Sequence, residues 1–280
     1  MLTRSASQPQ AMQWRDPRLF QIASLGLLLC YGLGVLGFDQ PPANVAVIFA
    51  AALATQWAGQ SITAPGKAFD PLSPLITALS LCLLLRTSNP AWLALAASLA
   101  IGSKFVLRID GKHIFNPANF GICVLLVCSD CAWISPSQWG AKTVAAFGFA
   151  SLAGLVLSKA KRADTALAFL AVYVTILFAR ALSLGDTLAI PLKQMQSGAL
   201  LLFAFFMITD PKTTPDRRIA RLMYAAAVAM LGAWLQFAWY RPDGLMLALF
   251  TASPFVPLID RIAPRDAAAP RFQWSNPVLN

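Results

Sequence analysis

Ten apolar stretches recur along the chain, separated by short polar segments carrying Pro, Gly, Lys and Arg. They run about Leu19–Gly37, Asn44–Gly59, Leu72–Leu85, Ala91–Val106, Phe120–Ile134, Lys142–Ser158, Thr165–Leu182, Ser197–Thr209, Leu222–Trp239 and Gly244–Ile262. Roughly 17 to 25 such residues are needed to cross ~30 Å of hydrocarbon as a helix. The third and eighth stretches are short by that measure. The pattern predicts an all-α integral membrane protein of about ten transmembrane helices. It divides the 280 residues into an N-terminal tail (1–18), two five-helix halves (19–139 and 140–263) and a C-terminal tail (264–280).

Charge tests that count independently. The 22 Lys and Arg exceed the 12 Asp and Glu, for a net charge of +10. Basic residues gather in cytoplasmic loops of membrane proteins, so an excess of this size calls for no nucleic acid. With the N-terminus inside and the loops alternating in side, only Arg86, Lys142, Arg180, Lys193 and Arg241 fall outside, and the other seventeen fall inside. Both termini are therefore expected in the cytoplasm. The polar N-terminal segment leads into an apolar run too long for a signal-peptide core, with no small-residue cleavage site behind it. Composition agrees. The chain is 58% hydrophobic and 12% charged with a mean hydropathy of +0.62, where soluble domains carry about 25% charged residues.

An odd number of helices per half makes the second half enter the membrane from the opposite side, as inverted repeats do. The short third stretch opens Ser73-Pro74-Leu75 and is followed by Asn89-Pro90; the short eighth opens Ser197-Gly198-Ala199 and closes Thr209-Asp210-Pro211. Short, Pro-interrupted hydrophobic segments at matching places in two halves point to a central site between them.

Two segments carry candidate chemistry. In Gly111-Lys112-His113-Ile114-Phe115-Asn116-Pro117-Ala118-Asn119-Phe120, Asn116 can cap a helix that Pro117 begins. The same helix mouth, with Lys112 and His113 beside it, can also accept an anionic or carbonyl-rich ligand. In the second segment, Thr209 and Asp210 stand at the cytoplasmic boundary, where a carboxylate at a helix C-terminus needs a partner or water. Cys128-Ser129-Asp130-Cys131 is a C-x-x-C at the outer end of the fifth stretch, open to a small disulfide or to nothing. No metal-ligand set, hydrolytic triad, phosphate loop or paired-carboxylate site is visible, so any chemistry belongs to a cofactor.

Phe115-Asn116-Pro117-Ala118, Ser197-Gly198 followed by Phe205-Phe206-Met207-Ile208-Thr209-Asp210-Pro211, and Pro257-Leu258-Ile259-Asp260-Arg261 resemble the NqrB/RnfD family. That family supplies the large membrane subunit of the sodium-pumping NADH:quinone oxidoreductase and of the Rnf electron transport complex. The resemblance implies a urea-transporter-like bundle of two inverted five-helix repeats and a non-autonomous oxidoreductase subunit. Such a subunit carries flavin, passes electrons within or across the membrane and works beside other subunits of a membrane redox complex, a role that can be coupled to ion translocation. The resemblance implies cofactor-binding positions at Phe115, Asn116, Pro117, Ala118, Thr209, Asp210 and Thr143. The chain departs from the family where FMN is covalently attached in a loop of the form P-G-S-x-G-E-T-S. Here Pro136-Ser137-Gln138-Trp139-Gly140-Ala141-Lys142-Thr143 places Lys142 at the acceptor position and Thr143 one residue late. Riboflavin or FMN held without a covalent bond is the expectation that follows. A small-solute transporter and a cofactor-free anchoring subunit are the alternatives on the same fold.

The charge split predicts that reporters fused after Ala160, after Pro215 and at the C-terminal Asn280 report cytoplasm, and one after Gly185 reports the outside. A swap at any of the four overturns the ten-helix topology.

Overall fold

The computed structural model describes residues 16–135 and 162–262. The predicted sixth stretch, Lys142–Ser158, and Thr143 lie outside them. In the first half, α1 (Pro17–Gly34), α2 (Pro42–Thr63), α3 (Leu72–Leu84), β1 (Leu85–Thr87), α4 (Pro90–Val106), β2 (Arg108–Ile109), β3 (Lys112–His113), α5 (Pro117–Cys128) and β4 (Ala132–Ile134) follow in order. The second half runs α6 (Ala163–Leu184), α7 (Ala189–Met195), α8 (Gly198–Leu202, continuing as a π-helical turn Phe203–Met207) and α9 (Arg218–Ala238). It ends with α10 (Gly244–Ala252), a 3₁₀ turn Ser253–Phe255 and α11 (Val256–Ile262).

Helix starts follow one local rule. Proline opens α1, α2, α4 and α5, where its missing N–H would have had no intrahelical partner. Before three of these prolines, Asp16, Asn89 and Asn116 accept a backbone N–H of the first turn.

Among the described residues, α2, α6, α9 and the continuous Gly244–Ile262 are long and apolar enough to cross a membrane. The pair Ala189–Met195 and Gly198–Met207, bent by 50°, makes a fifth if counted as one span. The helices α1, α3, α4 and α5 are apolar but shorter. This is a helical membrane protein with several broken or short elements.

Two predicted stretches change on folding. The fifth is helical only to Cys128; the chain turns, and Ala132–Ile134 pairs antiparallel with Leu85–Thr87, Leu85 opposite Ile134 and Thr87 opposite Ala132. Short α3 stops inside the protein, with Leu81 to Leu85 fully buried, and this two-stranded ladder satisfies backbone groups that lipid could not. The second change is α7, which sequence periodicity did not predict. It packs on α6 and precedes α8, whose first turn is capped by Ser197.

Within the first half, α2 packs on α3 and α4, α1 on α3, and α4 on α5; in the second, α9 packs on α6 and α10, and the π-helical turn on α6. The contact of α5 with α10 joins the halves. The α4–α5 contact depends on Gly121, where an added Cβ would lie 2.5 Å from the Ala96 carbonyl oxygen and 2.9 Å from the Ala100 Cβ. Gly121→Val should destabilise the protein by ~1–3 kcal/mol through overpacking, read as a lower melting temperature in detergent. Gly102→Ala, with nothing within 4 Å of its new Cβ, should leave the melting temperature the same or higher.

Candidate functional site

At one end of the bundle, the Asn116 amide lies 3.5 Å from the Asp210 carboxylate and 3.5 Å from the Met207 carbonyl, donating toward both. Its own Oδ1 accepts the Asn119 N–H at 3.2 Å as the cap of α5. Two residues 94 positions apart in sequence thus meet at the start of one helix and just beyond the end of another. Asp210 also accepts the Lys212 N–H at 3.0 Å, and its carbonyl accepts from Thr214 Oγ1 at 3.0 Å. Burial raises the Asp210 carboxyl above the ordinary carboxylate range, opposed by the Lys212 N–H bond and by the charges of Lys212, Arg162 and Lys104.

The other predicted positions have distinct surroundings. The Phe115 ring stacks on Phe250 at 5.0 Å and tilts against Phe120 at 5.1 Å. Pro117 and Ala118 are buried in the first turn of α5. The Thr209 hydroxyl turns back to the Phe205 carbonyl at 2.7 Å. Thr143 lies outside the described residues.

The loop from Thr209 to Arg217 is held by a charge network. Lys112 Nζ is 2.8 Å from both Asp216 and Asp260 and donates to the Thr214 carbonyl at 3.2 Å. Arg162 donates to the Pro215 carbonyl at 3.0 Å, and Arg221 joins the Asp216 carbonyl at 2.6 Å to Asp164 at 2.8 Å. The charge of Lys112 is therefore engaged, and it is not the free cation its place beside the helix mouth suggested. His113 lies deeper. Its imidazole is pushed down to about 3 by burial and then by the charges of Lys212, Arg108 and Lys104, so the ring is neutral.

Two basic groups that the charge count assigned to the two faces of the membrane are buried. Lys104, in the last turn of α4, donates to Gln56 Oε1 at 2.8 Å and Ser73 Oγ at 3.0 Å, linking three helices. Arg86, expected in an outer loop, is buried in β1 and donates to the Cys82 and Leu85 carbonyls.

The sequence reading missed a cavity at the opposite end. Helix α9 has 21 residues, so its two ends are roughly 30 Å apart; Arg221 at its start touches the Asp216 loop, and Gln236 near its end lines this cavity. The cavity measures about 690 Å³, within the range of small-molecule sites. Its apolar wall includes Leu200, Phe237 and Met246, and its neutral polar groups include Gln196, Ser197 and Gln236. The Tyr173 hydroxyl donates to Gln236 Oε1 at 2.6 Å, which leaves the Gln236 NH2 group to donate elsewhere. At the rim, Arg241 grips buried Asp243 through two bonds of 2.9 and 2.7 Å. Gln196 and Ser197, at the 50° bend between α7 and α8, lie on this space. A lone Gln in apolar α9 and the run Gln194-Met195-Gln196-Ser197 were the available signals, but they are far apart in sequence.

Neutral His113 makes stability fall in acid. Its folded pKa is depressed, so its contribution is present above the unfolded value of about 6.5 and is lost as pH falls toward about 3. The melting temperature should drop between pH 7 and 5, and His113→Gln should remove up to roughly 1.4 kcal/mol per pH unit of that slope below the unfolded pKa. An identical slope in the variant would refute this account of the imidazole.

Residues 136–268 match the family model described as NQR2, RnfD, RnfE. The RnfD protein of the ion-translocating oxidoreductase complex of Citrobacter koseri is 44% identical over 78 residues, which is 27% of this chain and 22% of that protein. Its counterparts in Escherichia coli O7:K1 and in Shigella flexneri are each 44% identical over 77 residues, 27% of this chain and 21% of the relative. The matched segment thus spans about a fifth of these relatives' length. The resemblance to NqrB/RnfD holds, and it is carried by residues 136–268, the region that is similar to the NQR2, RnfD, RnfE family.

Proposed function

We propose that this chain is a flavin-carrying, RnfD-like membrane subunit of an ion-translocating oxidoreductase complex, set in a bacterial inner membrane with both termini cytoplasmic. The observation that carries this reading is the cavity between Tyr173, Gln236 and the α7–α8 bend. A flavin ring has apolar faces and an edge of N–H and carbonyl groups. The cavity offers an apolar wall with the Gln236 amide, the Tyr173 hydroxyl and Ser197 along its polar side. Ile134 lines it and comes two residues before the stretch Pro136–Thr143 that resembles the family's FMN loop. When bound, the flavin supplies one- and two-electron transfer. The protein's residues hold and orient the ring, and the apolar wall keeps water from its face.

We further infer a second place for the ring's polar edge at the Asp210 end, formed by Phe115, Asn116, Pro117, Ala118, Thr209 and Asp210. The Asn116 amide and the Asp210 carboxyl group, 3.5 Å apart, are the polar groups that such an edge would meet. An arrangement of two inverted five-helix repeats, 19–139 and 140–263, is supported by recurring contacts. The packing of α2 on α3 and α4, and of α4 on α5, recurs as α6 on the π-helical turn and α9, and as α9 on α10. A small-solute transporter or a cofactor-free anchoring subunit is the second reading, favoured by Lys142 at the place of the acceptor hydroxyl.

The purified chain should be yellow. Its flavin should be released on denaturation, with no fluorescence left on the denatured band and no change in Thr143→Val. Asn116→Leu or Asp210→Leu should lower bound flavin ten- to a hundredfold if the ring's edge lies there, given ~1.5–3 kcal/mol for a hydrogen bond to a charged group. Gln236→Leu should do so by roughly tenfold if it lies in the cavity. A colourless protein that also fails to take up added flavin overturns the redox reading in favour of the second.

A further inference from the structure

We propose that the mouth of the Tyr173–Gln236 cavity is built for a phosphomonoester, with Lys193 making the ionic contact to the phosphate of a non-covalently held flavin mononucleotide. This rests on the flavin reading above and specifies which flavin the site takes.

The argument begins with charge in an unexpected place. Topology concentrates basic residues on the cytoplasmic side and gives no reason for them on the other. Of the five Lys and Arg that the alternation of loops assigns outside, three meet at this cavity. Lys193 and Arg241 line it, and the Arg180 guanidinium lies 4.5 Å over the ring of the lining residue Phe237.

Two of the three are already engaged. Arg241 is neutralised by Asp243 through its two hydrogen bonds, and Arg180 has Asp186 at 3.9 Å. The Lys193 ammonium has no ion pair or hydrogen bond among the described residues. Since Lys193, Arg241 and Asp243 are the charged residues of the lining, the site carries one uncompensated positive charge. That charge lies on α7, while the deeper polar side chains, Tyr173, Gln236 and Ser197, are neutral.

A neutral inner part and a single cation on the rim complement a ligand with an uncharged ring and an anionic tail. A phosphomonoester carries −1.5 to −2 charges near pH 7, and lysine meets it as a compact point charge. Riboflavin lacks the anionic end. Lys142 occupies the position where the family's loop would offer a hydroxyl for a phosphoester, so an ionic contact at Lys193 takes the role of the covalent one.

The full chain in detergent should quench the fluorescence of FMN with about tenfold higher affinity than that of riboflavin, the scale of one charge-assisted contact. Added salt should shrink that difference. Lys193→Gln should bring the FMN affinity down to that for riboflavin, and inorganic phosphate should compete with FMN more than with riboflavin. Gln236→Leu should weaken both flavins and so report on the cavity rather than the mouth. Equal affinities in the unmodified chain, or an FMN preference that survives Lys193→Gln, overturn the assignment while leaving the flavin reading intact. Loss of the preference only on adding phosphatidylglycerol vesicles, with inorganic phosphate ineffective, assigns Lys193 to a lipid headgroup and overturns it too. Failure of either flavin to bind removes the flavin reading itself.

Discussion

Hydrocarbon offers no hydrogen bonds, so every backbone N–H and C=O at membrane depth must find its partner inside the protein. Much of this architecture answers that constraint. A helix that stops short leaves carbonyls unpaired, and α3 stops at Leu84 among fully buried residues. The ladder between Leu85–Thr87 and Ala132–Ile134 takes over, and buried Arg86 donates to the carbonyls of Cys82 and Leu85. In the second half, the chain breaks between α7 and α8, Ser197 caps the new helix, and a π-helical turn follows at Phe203–Met207. Such interruptions are tolerated only where they are buried in protein or line a cavity. The break at Gln196–Ser197 lines one.

The two ends of the bundle use charge differently. At the Asp210 end, Lys112, Arg162 and Arg221 are matched by Asp216, Asp260 and Asp164, and the loop from Thr209 to Arg217 is drawn onto the helices. Partial burial strengthens these pairs relative to exposed ones, and each also satisfies backbone carbonyls. The consequence is a fixed position for Asp210 against Asn116. The Asp243 end has fewer charges, an open volume and one engaged Arg–Asp pair at the rim. One end is organised as a clamp and the other as a container.

Most helix positions among the described residues, the capped start at Asn116-Pro117, the short third and eighth elements and the NqrB/RnfD resemblance were legible in the sequence, because each depends on residues adjacent along the chain. Apolar length identifies a buried or lipid-facing helix, proline marks a first turn, and Asn before it supplies the cap. The 3.5 Å approach of Asn116 to Asp210 was anticipated only as a possibility. Whether they meet depends on how α5 and the π-helical turn sit across the joint between the halves. Tertiary structure alone decided that Lys112 is engaged by two aspartates, that Lys104 is buried against Gln56 and Ser73, and that Ala132–Ile134 is strand rather than helix. It also decided the existence of the cavity. Tyr173, Ser197, Gln236 and Asp243 come from four separate segments, and hydrophobic periodicity records only whether a face is apolar, not which distant face it meets.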